Sequence, residues 1–224
     1  MIEQKSSPHD PPPGLRPVRG TARCAVVALA LAGAAWLVRA VWHIRLAVAG
    51  EPASGPPDQG GGVHRPLNSL EDSYHLVSSA GAGVTAVCAI AFLFWLDRVR
   101  DNAKALSGAN PRYGYGWLWF GWVVPVVNLW IPRGVVADVH RTVFPERRLP
   151  AVVNWWWGLW LAGLAGGVGI IYADDTDEVI ARAYHGVLPL LAADLVIVAA
   201  AGAAALMVHT LTTAQREHIA GKGY

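Results

Sequence analysis

Residues 187–209 read VLPLLAADLVIVAAAGAAALMVH, 23 residues with a single formal charge, Asp194. An apolar helix of about 20 residues crosses a hydrocarbon core about 30 Å thick, so this stretch predicts a transmembrane span. Three further stretches of that length and character lie upstream, at 24–49, 74–96 and 151–172. A fifth apolar run, 116–131, has Pro125 near its centre and Pro132 at its end, both read as helix breaks. Its 16 residues would cover roughly 24 Å even if wholly helical, and Pro125 argues against that. The composition agrees: 54% hydrophobic and 15% charged residues, with a mean hydropathy of +0.33. An ordinary soluble domain carries roughly 25% charged residues. Disordered, collagenous and disulfide-rich classes are excluded, since only Cys24 and Cys88 are present. A net charge of +2 gives no reason to expect nucleic acid as a partner.

Charge decides how the short run is placed. Lys and Arg number four in 1–23, one in 50–73, four in 97–115, four in 132–150, one in 173–186 and two in 209–224. Basic loops stay cytoplasmic. If 116–131 dips in and returns, every basic loop is inside and both poor ones are outside. The expectation is therefore an all-α integral membrane protein with four transmembrane helices, a Trp-rich re-entrant or interfacial segment at 116–131, and both termini cytoplasmic. The Pro-rich tail 1–23 reads as disordered, 24–209 as the membrane domain, 50–62 as a flexible outer loop, and 210–224 as a second cytoplasmic tail. Cys24–Ala35 also fits a signal-peptide apolar region, although the long Pro-rich lead and Arg39 favour an uncleaved anchor.

The run from Phe92 to Val143 carries F-x-x-W-L-x-R-x-R-x-N-A through Phe92, Trp95, Leu96, Arg98, Arg100, Asn102 and Ala103. It then carries W-x-V-P-x-x-N-L-W-x-P through Trp122, Val124, Pro125, Asn128, Leu129, Trp130 and Pro132. With the W-W-x-L-W of Trp156–Trp160, these motifs resemble a bacterial, mostly actinobacterial, membrane family known as domain of unknown function 4328. The resemblance covers most of 30–210. His140 departs from it, where the family more often has an aromatic, usually Trp. It implies an architecture and no activity.

Four of the eleven tryptophans lie in 117–130 and four more in 155–160. Indole rings favour the headgroup level, so they set the depth of the basic loop between them. Pro125 frees a backbone carbonyl, and Asn128 sits close enough to satisfy it. Two readings of Asn128 remain open: a cap on a helix break, or part of a polar cavity of the kind discontinuous helices line. Beyond Pro132, residues 133–144 place Val135, Val136, Val139 and Val143 on one helical face, with Arg133, Asp138 and Arg141 away from it. That is a short amphipathic helix suited to the inner leaflet. Together with Arg147 and Arg148, Arg133 and Arg141 offer an interfacial basic surface for topological anchoring, anionic lipid or a cytosolic partner.

Arg39 and Asp194 are the ionisable groups deepest in the spans, and each needs an account. Counted from the cytoplasmic ends, Arg39 is 15 residues from Cys24 and Asp194 is 15 from His209. Both therefore lie at about 22 Å. The expectation is a pair across the first and fourth spans, set against an Arg39 that snorkels beside Trp42, His43 and Arg45, or a relay through Asp194. Small residues at four-residue spacing, Gly158, Ala162 and Gly166 with Gly163 and Gly167, favour close helix approach in a bundle or a homo-oligomer. Asp174, Asp175, Asp177 and Glu178 lack calcium-loop spacing. The histidines, His43, His75 and His185 among them, form no metal motif. No nucleophile has an evident base, and Cys88 reads as packing. No catalytic, cofactor or metal site is expected. The functional expectation is a non-enzymatic structural or interaction module in the lipid bilayer, with a protein partner or homo-oligomer. The alternative is a small transporter or channel component with a polar path near Asn128, Asp194 and Arg39.

Overall fold

The structure, a computed structural model, describes residues 14–59, 61, 63–124, 126–165 and 176–221. Its regular elements are helices: α1 (Arg19–Ala49), α2 (Ser69–Ser107), α3 (Tyr115–Phe120), a 3₁₀ turn (Val127–Leu129), α4 (Ile131–Val143), α5 (Ala151–Ala165), α6 (Thr176–His185) and α7 (Val187–Gly221). Three of them, α1, α2 and α7, are long and apolar enough to cross a membrane. The expected third span is described over 151–165 only, and 166–172 lie outside the described residues, as do Gly166, Gly167, Asp174 and Asp175.

Each long helix overruns its expected span, because polar residues continue it past the apolar stretch. The 39 residues of α2 are about 58 Å long, more than the hydrocarbon core. It opens on a capping box. The Asn68 side-chain oxygen accepts from the Leu70 and Glu71 amides at 2.9 and 3.0 Å, and Glu71 returns the bond to the Asn68 amide at 2.9 Å. In α1, apolar on every side, the buried residues still form one stripe: Ala22, Ala25, Leu29, Ala32, Trp36, Ala40, His43 and Leu46. The helix begins at Arg19, inside the stretch expected to be a tail.

By internal contacts the chain forms two units. Unit 1 takes residues up to Val26, then Ile90–Asn154 and the end of α7 from Ala205. Its core gathers Phe92, Trp95, Leu96, Val99, Ala103, Leu118, Met207, Val208 and Leu211 with the buried face of α4. The Trp95 indole donates to Thr212 Oγ1 at 3.0 Å, and Gln215 donates to the Val99 carbonyl at 3.0 Å. Asn102 closes two bonds on one residue, accepting from the Arg16 amide at 2.9 Å and donating to the Arg16 carbonyl at 2.9 Å. Residues ahead of α1 are thus held by a side chain; residues 1–13 lie outside the description.

The expected α4 face is present, with Val135, Val136, Val139 and Val143 buried. Pro132 does not break a helix. It lies in the first turn of α4, where no backbone N–H is needed, so the helix starts two residues earlier than expected. Pro125 lies outside the described residues; beside it Val126 takes a φ of 67°. Residues 116–131 comprise most of α3, turns and a 3₁₀ turn, and their short helical pieces do not amount to a continuous helix. At Gly134 a Cβ would lie 2.6 Å from the Tyr113 hydroxyl, so only glycine lets this ring pack on α4.

Unit 2 comprises Val27–Ala89 and Trp155–Ala204. Small residues set its helix contacts. A Cβ at Gly81 would meet Ala35 at 3.8 Å, one at Gly33 would meet Ala201 at 3.7 Å, and one at Gly163 would fall 2.3 Å from the end of Ile197. Gly158, expected on the same stripe, faces open space. The loop between α1 and α2 carries hydrogen bonds among its described residues. Arg65 donates to the Gly55 carbonyl at 2.7 Å, and its own amide bonds the Pro57 carbonyl.

Candidate functional site

Unit 2 holds a chain of polar groups with almost no solvent. Arg39, partly buried, and His43, fully buried, lie one turn apart on α1. Arg39 donates twice to Asp194 Oδ1 on α7, at 3.1 Å from Nε and 2.6 Å from a terminal nitrogen. The other carboxylate oxygen, Oδ2, lies 3.0 Å from His43 Nδ1 as a charge contact, the two atoms being out of line for a hydrogen bond. On the far side of the ring, Nε2 is 2.8 Å from the Tyr74 hydroxyl of α2. Asp194 and His43 are fully buried and Tyr74 is 1% exposed. The Arg39 guanidinium lies 4.0 Å from the centre of the Trp36 ring, whose indole donates to Thr85. Arg39 thus turns inward to Asp194 and does not snorkel. A buried carboxylate is tolerated when a counter-charge and hydrogen bonds replace water, and Arg39 supplies both.

A second cluster surrounds Glu71, also fully buried. Arg65 grips it with two bonds, 2.8 and 2.6 Å, and Tyr184 of α6 donates its hydroxyl to Oε1 at 2.5 Å. Burial alone would raise the Glu71 carboxyl, but Arg65, Tyr184 and the Asn68 amide outweigh it and hold the group at about 2. Burial and the neighbouring carboxylate push the Tyr184 phenol up to about 12. Nearby, Asp177 lies between His75, at 2.8 Å, and His64, at 3.5 Å. Among the described residues no group of three His, Cys, Asp or Glu is placed to hold a metal ion.

Unit 1 carries the aromatic and basic residues. Trp117, Phe120 and Trp130 are exposed, as are Arg141, Arg147 and Arg148 on and after α4. Arg133 instead binds Asn154 Oδ1 at 3.0 and 2.6 Å. Further rings pack edge to face, Phe94 on Trp119 and Phe92 on Trp122, and the Trp122 indole donates to the Leu118 carbonyl. Asn128 Oδ1 is buried with no hydrogen-bond partner among the described residues. It belongs to unit 1, whereas Arg39 and Asp194 belong to unit 2. His140 is buried against Phe144, and burial with Arg141 and Arg147 lowers its proton affinity.

The profile of one protein family matches residues 68–213, from the α2 cap into the last third of α7. The chain belongs to the family described as Domain of unknown function (DUF4328). No curated protein and no solved structure matches it. The DUF4328 match includes Asp194, His75 and the Glu71 capping box, while α1 with Arg39 and His43 precedes it. The geometry gives the first motif of the chain a physical meaning. Trp95, Leu96, Asn102 and Ala103 are all buried, Arg100 donates to the Tyr113 carbonyl at 3.1 Å, and Asn102 clamps Arg16. Sequence reading brought Arg39 to Asp194 but missed Tyr74, Glu71, Arg65 and Tyr184. Two signals were available: the four-residue step from Arg39 to His43, and Asn68-x-x-Glu71 as a capping box.

Proposed function

We propose that this DUF4328 protein crosses the cell (inner) membrane four times, with 116–131 re-entrant or interfacial and both termini cytoplasmic, and acts as a non-enzymatic structural or interaction module. Three apolar helices support the membrane reading. The observation that carries the interaction reading is the surface of unit 1, where exposed Trp117, Phe120 and Trp130 accompany exposed Arg141, Arg147 and Arg148. Rings of this kind seat a segment at the headgroups, and the arginines then meet anionic lipid or a cytosolic partner. The open pocket at the α6–α7 corner is lined by Arg182, His185, Gly186, Pro189 and Leu190, a set without a nucleophile. Affinity purification from native membranes in mild detergent, followed by mass spectrometry, tests this. A stoichiometric protein partner is expected, and it should be lost when Arg141, Arg147 and Arg148 are all replaced by Glu. Equal recovery with the triple variant contradicts the basic surface.

The second reading, a transporter component, draws on the buried Arg39–Asp194–His43–Tyr74 chain, because ionisable groups in a bilayer often line ion or proton paths. Flux into proteoliposomes that disappears in Asp194→Asn would favour it over the first.

A further inference from the structure

We propose that His43 is a proton-binding site within the membrane domain, with the Asp194 carboxylate shared between it and Arg39. This goes beyond the interaction module, and its test does not depend on a partner. The polar groups nearest the ring come from three helices. Arg39 lies on its own α1, Asp194 on α7 and Tyr74 on α2. From α6 the residues of this core are the apolar Ile180 and Ala183, and its nearby phenol, Tyr184, is committed to Glu71.

The partners fix where the protons lie. A carboxylate only accepts; Nδ1 lies 3.0 Å from Asp194 Oδ2 without the alignment of a hydrogen bond, so the carboxylate places the proton of the neutral ring on Nδ1 by charge, and Nε2 then accepts the Tyr74 hydroxyl proton. The charges then cancel, one guanidinium against one carboxylate. A second ring proton enters at Nε2, and the Tyr74 oxygen becomes its acceptor. The Tyr74 hydroxyl proton must then turn to a new acceptor. Ser78 Oγ, one turn further along α2, is buried without a hydrogen-bond partner and supplies it. The protonated state puts two cations on one carboxylate between α1 and α7, so proton uptake acts directly on the contact of these helices. Histidine is the side chain whose charge changes at physiological pH, and here it stands between a carboxylate of α7 at 3.0 Å and a hydroxyl of α2 at 2.8 Å.

The experiment is nitrogen NMR of the full chain with labelled histidine in detergent micelles, read from pH 8 to pH 5. The His43 signals are identified as those missing in His43→Gln or, if that variant does not fold, as those displaced by Tyr74→Phe. The expected result is one protonation of the His43 ring within this range, with the proton bound at least about tenfold more weakly in Asp194→Asn. The same curve should persist in the His64→Gln, His75→Gln double variant, which removes the other histidines against a carboxylate. A His43 ring that stays in one protonation state from pH 8 to pH 5, or that titrates identically without the Asp194 carboxylate, overturns the proposal.

Discussion

Two carboxylates in unit 2 have no water to solvate them, and each is neutralised by an arginine in a different way. Asp194 takes Arg39 from another helix, whereas Glu71 takes Arg65 from six residues upstream. Removing one partner of a buried pair costs about 3–5 kcal/mol, because the other charge is left alone. Arg39→Ala and Asp194→Ala are therefore expected to lower thermal stability in detergent markedly. The double swap Arg39→Asp, Asp194→Arg should recover part of it; two single variants as stable as the parent would show that the pair contributes nothing. For Glu71 the sign follows from its depressed proton affinity. From an ordinary 4.5 to about 2, its interactions stabilise the fold by roughly 3 kcal/mol above about pH 5. That stability is lost as pH falls through the interval toward 2. Thermal unfolding of the parent and Glu71→Gln should accordingly converge on going from pH 6 to pH 3. The Arg39–Asp194 contact was legible because both residues sit equally deep in their spans. Its extension to His43 and Tyr74 was not, since Tyr74 stands at the start of the apolar stretch of α2, whose spacing does not mark the face that meets α1.

Apolar periodicity told most where a helix has two unlike faces. The buried valines of α4 were readable in sequence because arginine and aspartate mark its other side. In α1, α2 and α7 the residue types are apolar all round, and only the structure separates the inward stripe from exposed Leu76, Val87, Phe94 and Leu206. Glycines show the same limit. Gly158 and Gly163 look alike in sequence, yet one faces open space and the other touches Ile197. Gly163→Leu is expected to destabilise by about 1–3 kcal/mol through overpacking, and Gly158→Leu by much less. Melting temperatures of the two variants in one detergent check the contrast. Pro132 was read as the end of the apolar run and proved to be the start of α4, because a proline lacking an N–H is as suitable in a first turn as past a last one.

For the whole molecule, the sequence conveyed the all-helical, apolar character and the family. Its four-span count rests on charge asymmetry across loops, a property of the chain in a bilayer. The central claim is that the loop 50–68 and the basic loop 132–150 lie on opposite sides of the membrane. The direct measurement uses a chain with Cys24→Ala and Cys88→Ala, carrying a single new cysteine as Ser54→Cys or Glu146→Cys, and a membrane-impermeant thiol reagent on intact cells. The account predicts that Ser54→Cys is labelled in intact cells and Glu146→Cys only after permeabilisation. Labelling of Glu146→Cys in intact cells would contradict it.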